Sequence, residues 1–156
     1  MVSEVEVTNR TPVDWALLIA RIIVGIVFMA HGSQKLFGAL GGPGLSGFVQ
    51  MLGPIGYLVA IGEFFGGLGL IVGFLSRFSA AAIIVIMVGA ILMIHGKFGF
   101  FMNRMGQQAG EGFEYHLLAI AVLSTILIAG PGRYAIGNFL PLPKRKGTEE
   151  PIPVLQ

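Results

Sequence analysis

Apolar residues run through this chain in blocks, broken by short stretches of glycine, proline and charge. A helix that crosses a bilayer needs roughly 20 mainly apolar residues. Four stretches meet or approach that length: 14–37, 55–75, 78–95 and 115–130. Arg21, His31 and Lys35 lie inside the first, and only Glu63 interrupts the second; the third is almost purely aliphatic. The fourth spans about 24 Å by helix rise. It is expected to begin nearer Gly112, and the GPG at 130–132 ends it. The pattern predicts an all-α fold, a four-helix transmembrane bundle over residues 14–137. Residues 1–13 precede it as a cytoplasmic segment, and 138–156 follow as a Pro-rich cytoplasmic tail.

The segments between the spans differ in character. Residues 39–54 carry no charge and are rich in glycine and proline, which reads as a loop. Residues 97–114 are long for a connector, so a fold-back over the membrane face and a plain surface loop are both open. Span two contains GEFFG (62–66) and GLIVG (69–73). Between helices in lipid, contact comes from close approach of backbones at small residues. These glycines therefore read as packing positions, and span two as the most buried helix. No strand precedes a Gly-rich turn, so no phosphate-binding loop is implied.

Composition narrows the chemistry. Of 156 residues, 54% are hydrophobic and 12% charged, with a mean hydropathy of +0.82, whereas soluble domains carry about 25% charged residues. Cysteine is absent, which removes disulfides, thiolate catalysis and iron–sulfur ligation. A net charge of +2 without a basic stripe does not suggest nucleic acid. The N-terminal MVSEVEVTNRTP lacks the positive start of a secretory signal, so the first span is expected to be retained. Trp15 would suit the interfacial aromatic belt. With four spans both termini share one side, together with Arg10, Arg77, Arg133, Lys144, Arg145 and Lys146, against Lys35, Lys97 and Arg104 opposite. The positive-inside rule makes the terminal side cytoplasmic.

Ionisable residues within the spans are the candidate functional groups, because exposing them to lipid costs several kcal/mol. Arg21 lies about 10 Å deep from one face and Glu63 about 12 Å from the other. A structural Arg21–Glu63 ion pair is one reading, and proton transfer by Glu63 is the other. At 100° per residue, Arg21, Gly25, Phe28, Gly32 and Lys35 share one helix face with His31 on its flank, a polar stripe suited to the bundle interior. His31, His95, His116 and Glu114 lie at one membrane level. That level could hold a haem or metal, or a quinone with rings from Phe98, Phe100, Phe101 and Tyr115, or it could be solvated interface. HxxxH and ExxH spacings are missing, so no metal site is assigned and haem ranks below quinone.

The stretches ARIIVGIVFMAHGSQKLFG, LGP (52–54), GEFFGGLGLIVGFLSR (62–77), GFF (99–101), EY (114–115) and GPGRY (130–134) resemble the DoxX family of small four-helix bacterial membrane proteins. The resemblance covers about residues 15 to 135. Its most specific part is R…G..F..HG..KLFG followed by E..GG…G…R. The pattern falls on Arg21, Gly25, Phe28, His31, Gly32, Lys35, Phe37 and Gly38, then on Glu63, Gly66, Gly67, Gly73 and Arg77, then on His95, Glu114 and the GPG turn. His116 and the AIGNF after GPGRY depart from it and are left without a role. The resemblance implies a bacterial or archaeal inner-membrane protein related to a subunit of a terminal quinol oxidase, also described as thiosulfate:quinone oxidoreductase. The expected function is a membrane oxidoreductase subunit working with the quinone pool. Glu63, His31 and Lys35 would serve as proton relay and substrate contact, and His31, His95, Phe100 and Glu114 would form a quinone pocket. Expected partners are the lipid bilayer, a membrane or peripheral oxidoreductase subunit, and a second copy in a homo-oligomer. The alternative is a non-enzymatic membrane scaffold or small-molecule carrier; a proton channel ranks lower because span three has no polar stripe.

Overall fold

The computed structural model describes residues 11–140, and the expectations for the first ten residues and for 141–156 fall outside them. The described residues form helices and turns without a strand. Helix α1 is Pro12–Phe37, α2 is Gly44–Leu52, α3 is Ile55–Val72, α4 is Ser76–Ala90 and α5 is Glu114–Ala129. Beyond Ala90 the α4 axis continues through a π-helical turn, Ile91–His95, and a 3-10 turn, Gly96–Phe98. Three segments are long and apolar enough to cross a membrane, Pro12–Phe37, Ile55–Val72 and Ser76–Phe98; the shorter α5 completes the bundle. The four expected spans are thus present. The loop expected at 39–54 holds the additional helix α2, because a nine-residue apolar helix is too short for a spanning pattern to register.

Local chemistry sets the helix ends. Thr11 and Asp14 form a capping box ahead of Pro12, so two orphan N–H groups of the first turn are bonded. Gly38 takes a left-handed conformation (φ 71°) and stops α1. Gly73 (φ 78°) ends α3, its N–H and that of Phe74 both donating to Gly69 O.

Helices α1 and α3 touch backbone to backbone. A Cβ placed on Gly25 would sit 2.8 Å from Gly67 O, and one on Gly32 2.5 Å from Phe64 Cα. A Cβ on Gly67 would meet the Met29 backbone and lie 2.7 Å from Gly25 O. The glycines of GEFFG and GLIVG serve other contacts: Gly62 and Gly66 face Ile86 and Ile83 of α4, and Gly73 makes the turn beside Arg21 and Ala135. Phe28, Leu70, Ile83, Leu123 and Ile126 fill the space between helices. Ile19, Ile23, Val85, Leu118 and Ile128 remain exposed on the outside, the apolar face a bundle shows to lipid.

Arg21 is buried toward the end of the bundle that holds Gly73 and the GPG turn, and it does not pair with Glu63. Its guanidinium donates to Leu70 O (2.8 Å), Ile71 O (3.1 Å) and Tyr134 O (2.9 Å). The carbonyls of a helix's last turn lack intrahelical donors and carry the negative end of the dipole. Those of α3 lie directly opposite Arg21, whereas Glu63 is seven residues, about 10 Å, further along the helix. The GPG turn completes this end. Arg133 N–H donates to Asp14 (3.0 Å), Gly137 N–H to Gly73 O (3.1 Å), and Trp15 packs at a tilt against Tyr134 with ring centres 4.7 Å apart.

Candidate functional site

The opposite end of the bundle holds a cavity of about 570 Å³. Its polar wall comes from five elements: His31 and Lys35 from the last turns of α1, Glu63 from α3, His95 from the π-helical turn, Glu111 from the loop that follows, and Tyr115 and His116 from the start of α5. The remainder is apolar, with Phe28, Phe48, Leu52, Ile55 and the aliphatic residues of α3 and α4. Ligand pockets of 300–1,000 Å³ with few polar groups on apolar walls are the usual form of small-molecule sites.

Glu63 is 3% exposed and its partner is Lys35, not Arg21. A helical side chain leans toward the N-terminus of its own helix. Lys35, near the C-terminal end of α1, therefore reaches back into the bundle toward Glu63. The Lys35 ammonium also sits over the Phe48 ring, 5.4 Å from its centre. A buried carboxylate tolerates burial only when paired and hydrogen-bonded, and Lys35 supplies both. An ammonium has three donors, so those not directed at Glu63 can meet a ligand oxygen.

The histidines are held in distinct ways. His95 Nδ1 lies 2.8 Å from Glu111 O. A carbonyl only accepts, so in the neutral ring Nδ1 carries the hydrogen and Nε2 is left as an acceptor. The His95 ring packs on His116, centres 4.3 Å apart, and His31 faces Tyr115 at 6.1 Å. Among the described residues, His116 Nδ1 and Tyr115 Oη are buried with no hydrogen-bond partner. Each such atom costs about 1–3 kcal/mol when left unpaired. The buried Arg21 Nε, Ser76 Oγ and Tyr134 Oη elsewhere in the bundle are likewise without a partner.

The long segment after α4 folds back over this end. Gly99 (φ 86°) turns the chain, Phe113 N–H donates to Gly99 O (3.2 Å) and Glu114 N–H to Phe100 O (2.8 Å). Glu111 accepts from Asn103 N–H at 2.7 Å, and Met102 and Glu111 reach the cavity wall.

The structure brings His31, Lys35, Glu63 and His95 to one cavity but leaves Phe100 and Glu114 out of it. The fold-back pairs their backbones on the loop's surface, where Phe100 packs on Phe101 and Phe113, and Glu114 pairs with Arg104 at 3.1 Å. His116, left without a role from the sequence, is buried at the wall. Its periodic signal was available: it shares the buried face of α5 with Ala119, Leu123 and Ile126, at helical spacing. Glu111, Phe48 and Leu52 carry no such signal, since a loop and an unpredicted helix bring them in. Among the described residues no group of three His, Cys, Asp or Glu is placed to hold a metal ion.

Comparisons with known proteins agree on the family. The chain matches DoxX over residues 16–96. It is 28% identical over 130 residues to the Escherichia coli (strain K12) protein named "Inner membrane protein YqjF", covering 81% of this chain and 93% of that one. It is 27% identical over 136 residues to the Bacillus subtilis (strain 168) protein named "Putative oxidoreductase CatD", covering 83% and 90%. No solved structure matches. The Arg21-to-Gly38 and Glu63-to-Arg77 motifs, the helical membrane bundle they build and the matched half of the chain make this protein a member of the DoxX family.

Proposed function

We propose that this protein is the membrane subunit of an oxidoreductase and seats a quinone-type head group in the cavity beside Lys35, Glu63 and His95. The observation that carries the reading is the arrangement of that wall. Donors not directed at Glu63 sit on the Lys35 ammonium, and an acceptor, His95 Nε2, is fixed by the Glu111 carbonyl. A quinone presents carbonyl oxygens that accept, and its reduced form presents hydroxyls that donate, so one wall serves both states. Glu63, hydrogen-bonded to Lys35, is the group that takes up or returns the proton. Electrons come from a second protein. The naming of the Bacillus subtilis relative as an oxidoreductase supports the reaction class. With the termini cytoplasmic, as the Lys and Arg distribution favours, the cavity sits in the outer half of the inner membrane.

Purified protein from quinone-containing membranes tests the reading. It is expected to retain quinone, with retention reduced by about tenfold, the equivalent of 1.4 kcal/mol, in Lys35→Met and His95→Phe. Protein that carries no quinone, or equal amounts in all three forms, overturns it and favours a scaffold.

A further inference from the structure

The cavity does not close inside the bundle. Leu58 of α3 and Val85 of α4 line it, yet each is 71% exposed on the outer surface, and Met93, also on the wall, is 58% exposed. The cavity therefore breaks through the side of the bundle between α3 and α4. Both flanking segments, Ile55–Val72 and Ser76–Phe98, are long and apolar enough to cross a membrane. Val85 lies near the middle of its segment, at least about 13 Å from either end by helix rise. The opening thus faces hydrocarbon rather than water.

Gly89 gives the opening its width. It lies inside α4 on the cavity wall, and a Cβ built there meets nothing within 4 Å. Gly25, Gly32, Gly62 and Gly67 differ, because a Cβ on any of them strikes another helix. Glycine in a helix interior costs about 0.5–1 kcal/mol relative to alanine, and at position 89 no packing contact offsets that cost. What glycine provides there is empty space, continuous with the cavity.

The geometry points to a lateral portal between α3 and α4, kept open at Gly89, through which an amphiphile dissolved in the bilayer loads. Its polar head goes to the wall of Lys35 and Glu63, and its apolar chain lies between Leu58 and Val85. The polarity gradient specifies this class of ligand. Lys35 and the 3% exposed Glu63 are on the inner wall, whereas Leu58, Val85 and Met93, the exposed side chains at the mouth, are all apolar. The inference rests on the quinone reading only for the choice of head group.

Two photoreactive probes with one diazirine-bearing decyl chain test it, one headed by benzoquinone and the other by a plain hydroxyl. Both are applied to the protein in lipid nanodiscs, with labelled residues mapped by mass spectrometry. The quinone probe is expected to mark Leu58, Val85 or Met93 about tenfold above Leu118 on the outside of α5, a preference of 1.4 kcal/mol. Gly89→Leu should bring this labelling down to the Leu118 level, while Gly89→Ala, which leaves most of the gap, retains it. Thermal unfolding of both variants should occur at or above the wild-type temperature, so lost labelling reads as a filled portal. If the hydroxyl probe labels the groove equally and unlabelled decyl-benzoquinone fails to compete, the portal stands and the quinone reading falls. Labelling concentrated at Met102 and Glu111 places access through the loop and overturns the portal. Groove labelling no higher than Leu118, or unchanged in Gly89→Leu, overturns it as well.

Discussion

Two identical chemical changes, Gly32→Ala and Gly89→Ala, should have opposite effects on stability. Both positions lie within helices, so both gain the same intrinsic preference for alanine, about 1 kcal/mol. They differ in what the new methyl meets. At Gly32 it lands 2.5 Å from Phe64 Cα, on backbone that has no rotamer to change. Carbon atoms pack at 3.5–4.0 Å, so α1 and α3 must part by about 1–1.5 Å. Parting also loosens the contacts at Gly25 and Gly67 on the same seam. Overpacking of this kind costs about 1–3 kcal/mol, and a backbone obstacle places Gly32 near the upper figure. Net of propensity, Gly32→Ala should destabilise by about 2 kcal/mol. At Gly89 nothing lies within 4 Å, so Gly89→Ala should be neutral to stabilising by about 1 kcal/mol. Reversible unfolding of the purified variants in mixed micelles measures both, and their difference cancels the shared propensity, leaving about 3 kcal/mol of steric cost. A difference below about 0.5 kcal/mol, the usual size of a surface change, would refute the close approach of α1 to α3.

Four further substitutions probe the charges and the loop. Lys35→Met leaves the 3% exposed Glu63 without its partner and should cost about 3 kcal/mol. Glu63→Gln should cost less, since the Lys35 side chain, 18% exposed, can turn to water, and the double variant should recover most of the loss in a double-mutant cycle. Arg21→Lys replaces a fork that bonds carbonyls on two segments by a single ammonium and should cost about 2–3 kcal/mol in the same unfolding assay. Glu111→Ala removes the carboxylate that holds Asn103 N–H. It should speed amide hydrogen exchange across residues 103–111 while α1 and α3 keep their protection, and uniform exchange in both proteins would show that the loop is held by other contacts.

The burial of these charges follows one rule at both ends of the bundle. The two terminal nitrogens of the Arg21 guanidinium are met by carbonyls at the end of α3 and at Tyr134, and Glu63 by a lysine reaching back along α1. Neither charge is left facing lipid. Arg21 works as a clasp between α1, α3 and the GPG turn, which frees Glu63 and Lys35 to form the wall of the cavity.

Read alone, the sequence determined the spans, their order and the inward face of α1. Those follow from length, hydropathy and the 100° helical step, which are properties of neighbours along the chain. Arg21, Gly25, Phe28 and Gly32 were legible as one buried stripe for that reason, and so was the level shared by His31, Lys35 and His95. Pairing was decided by the tertiary structure. Whether Arg21 met Glu63 depended on the register of α3 against α1, and that register is set by where Gly67 lets two backbones touch. Phe100 and Glu114 lie outside the cavity because Gly99 turns the chain back and pairs their backbones on the surface. His116 enters the wall through the rotation of α5 in the bundle, and Glu111 through the fold-back that lays the loop over the cavity. Gly89 is the sharpest case: along the chain it is one more glycine in an apolar helix. Only the packed bundle distinguishes a glycine that lets helices meet from one that keeps them apart from a space.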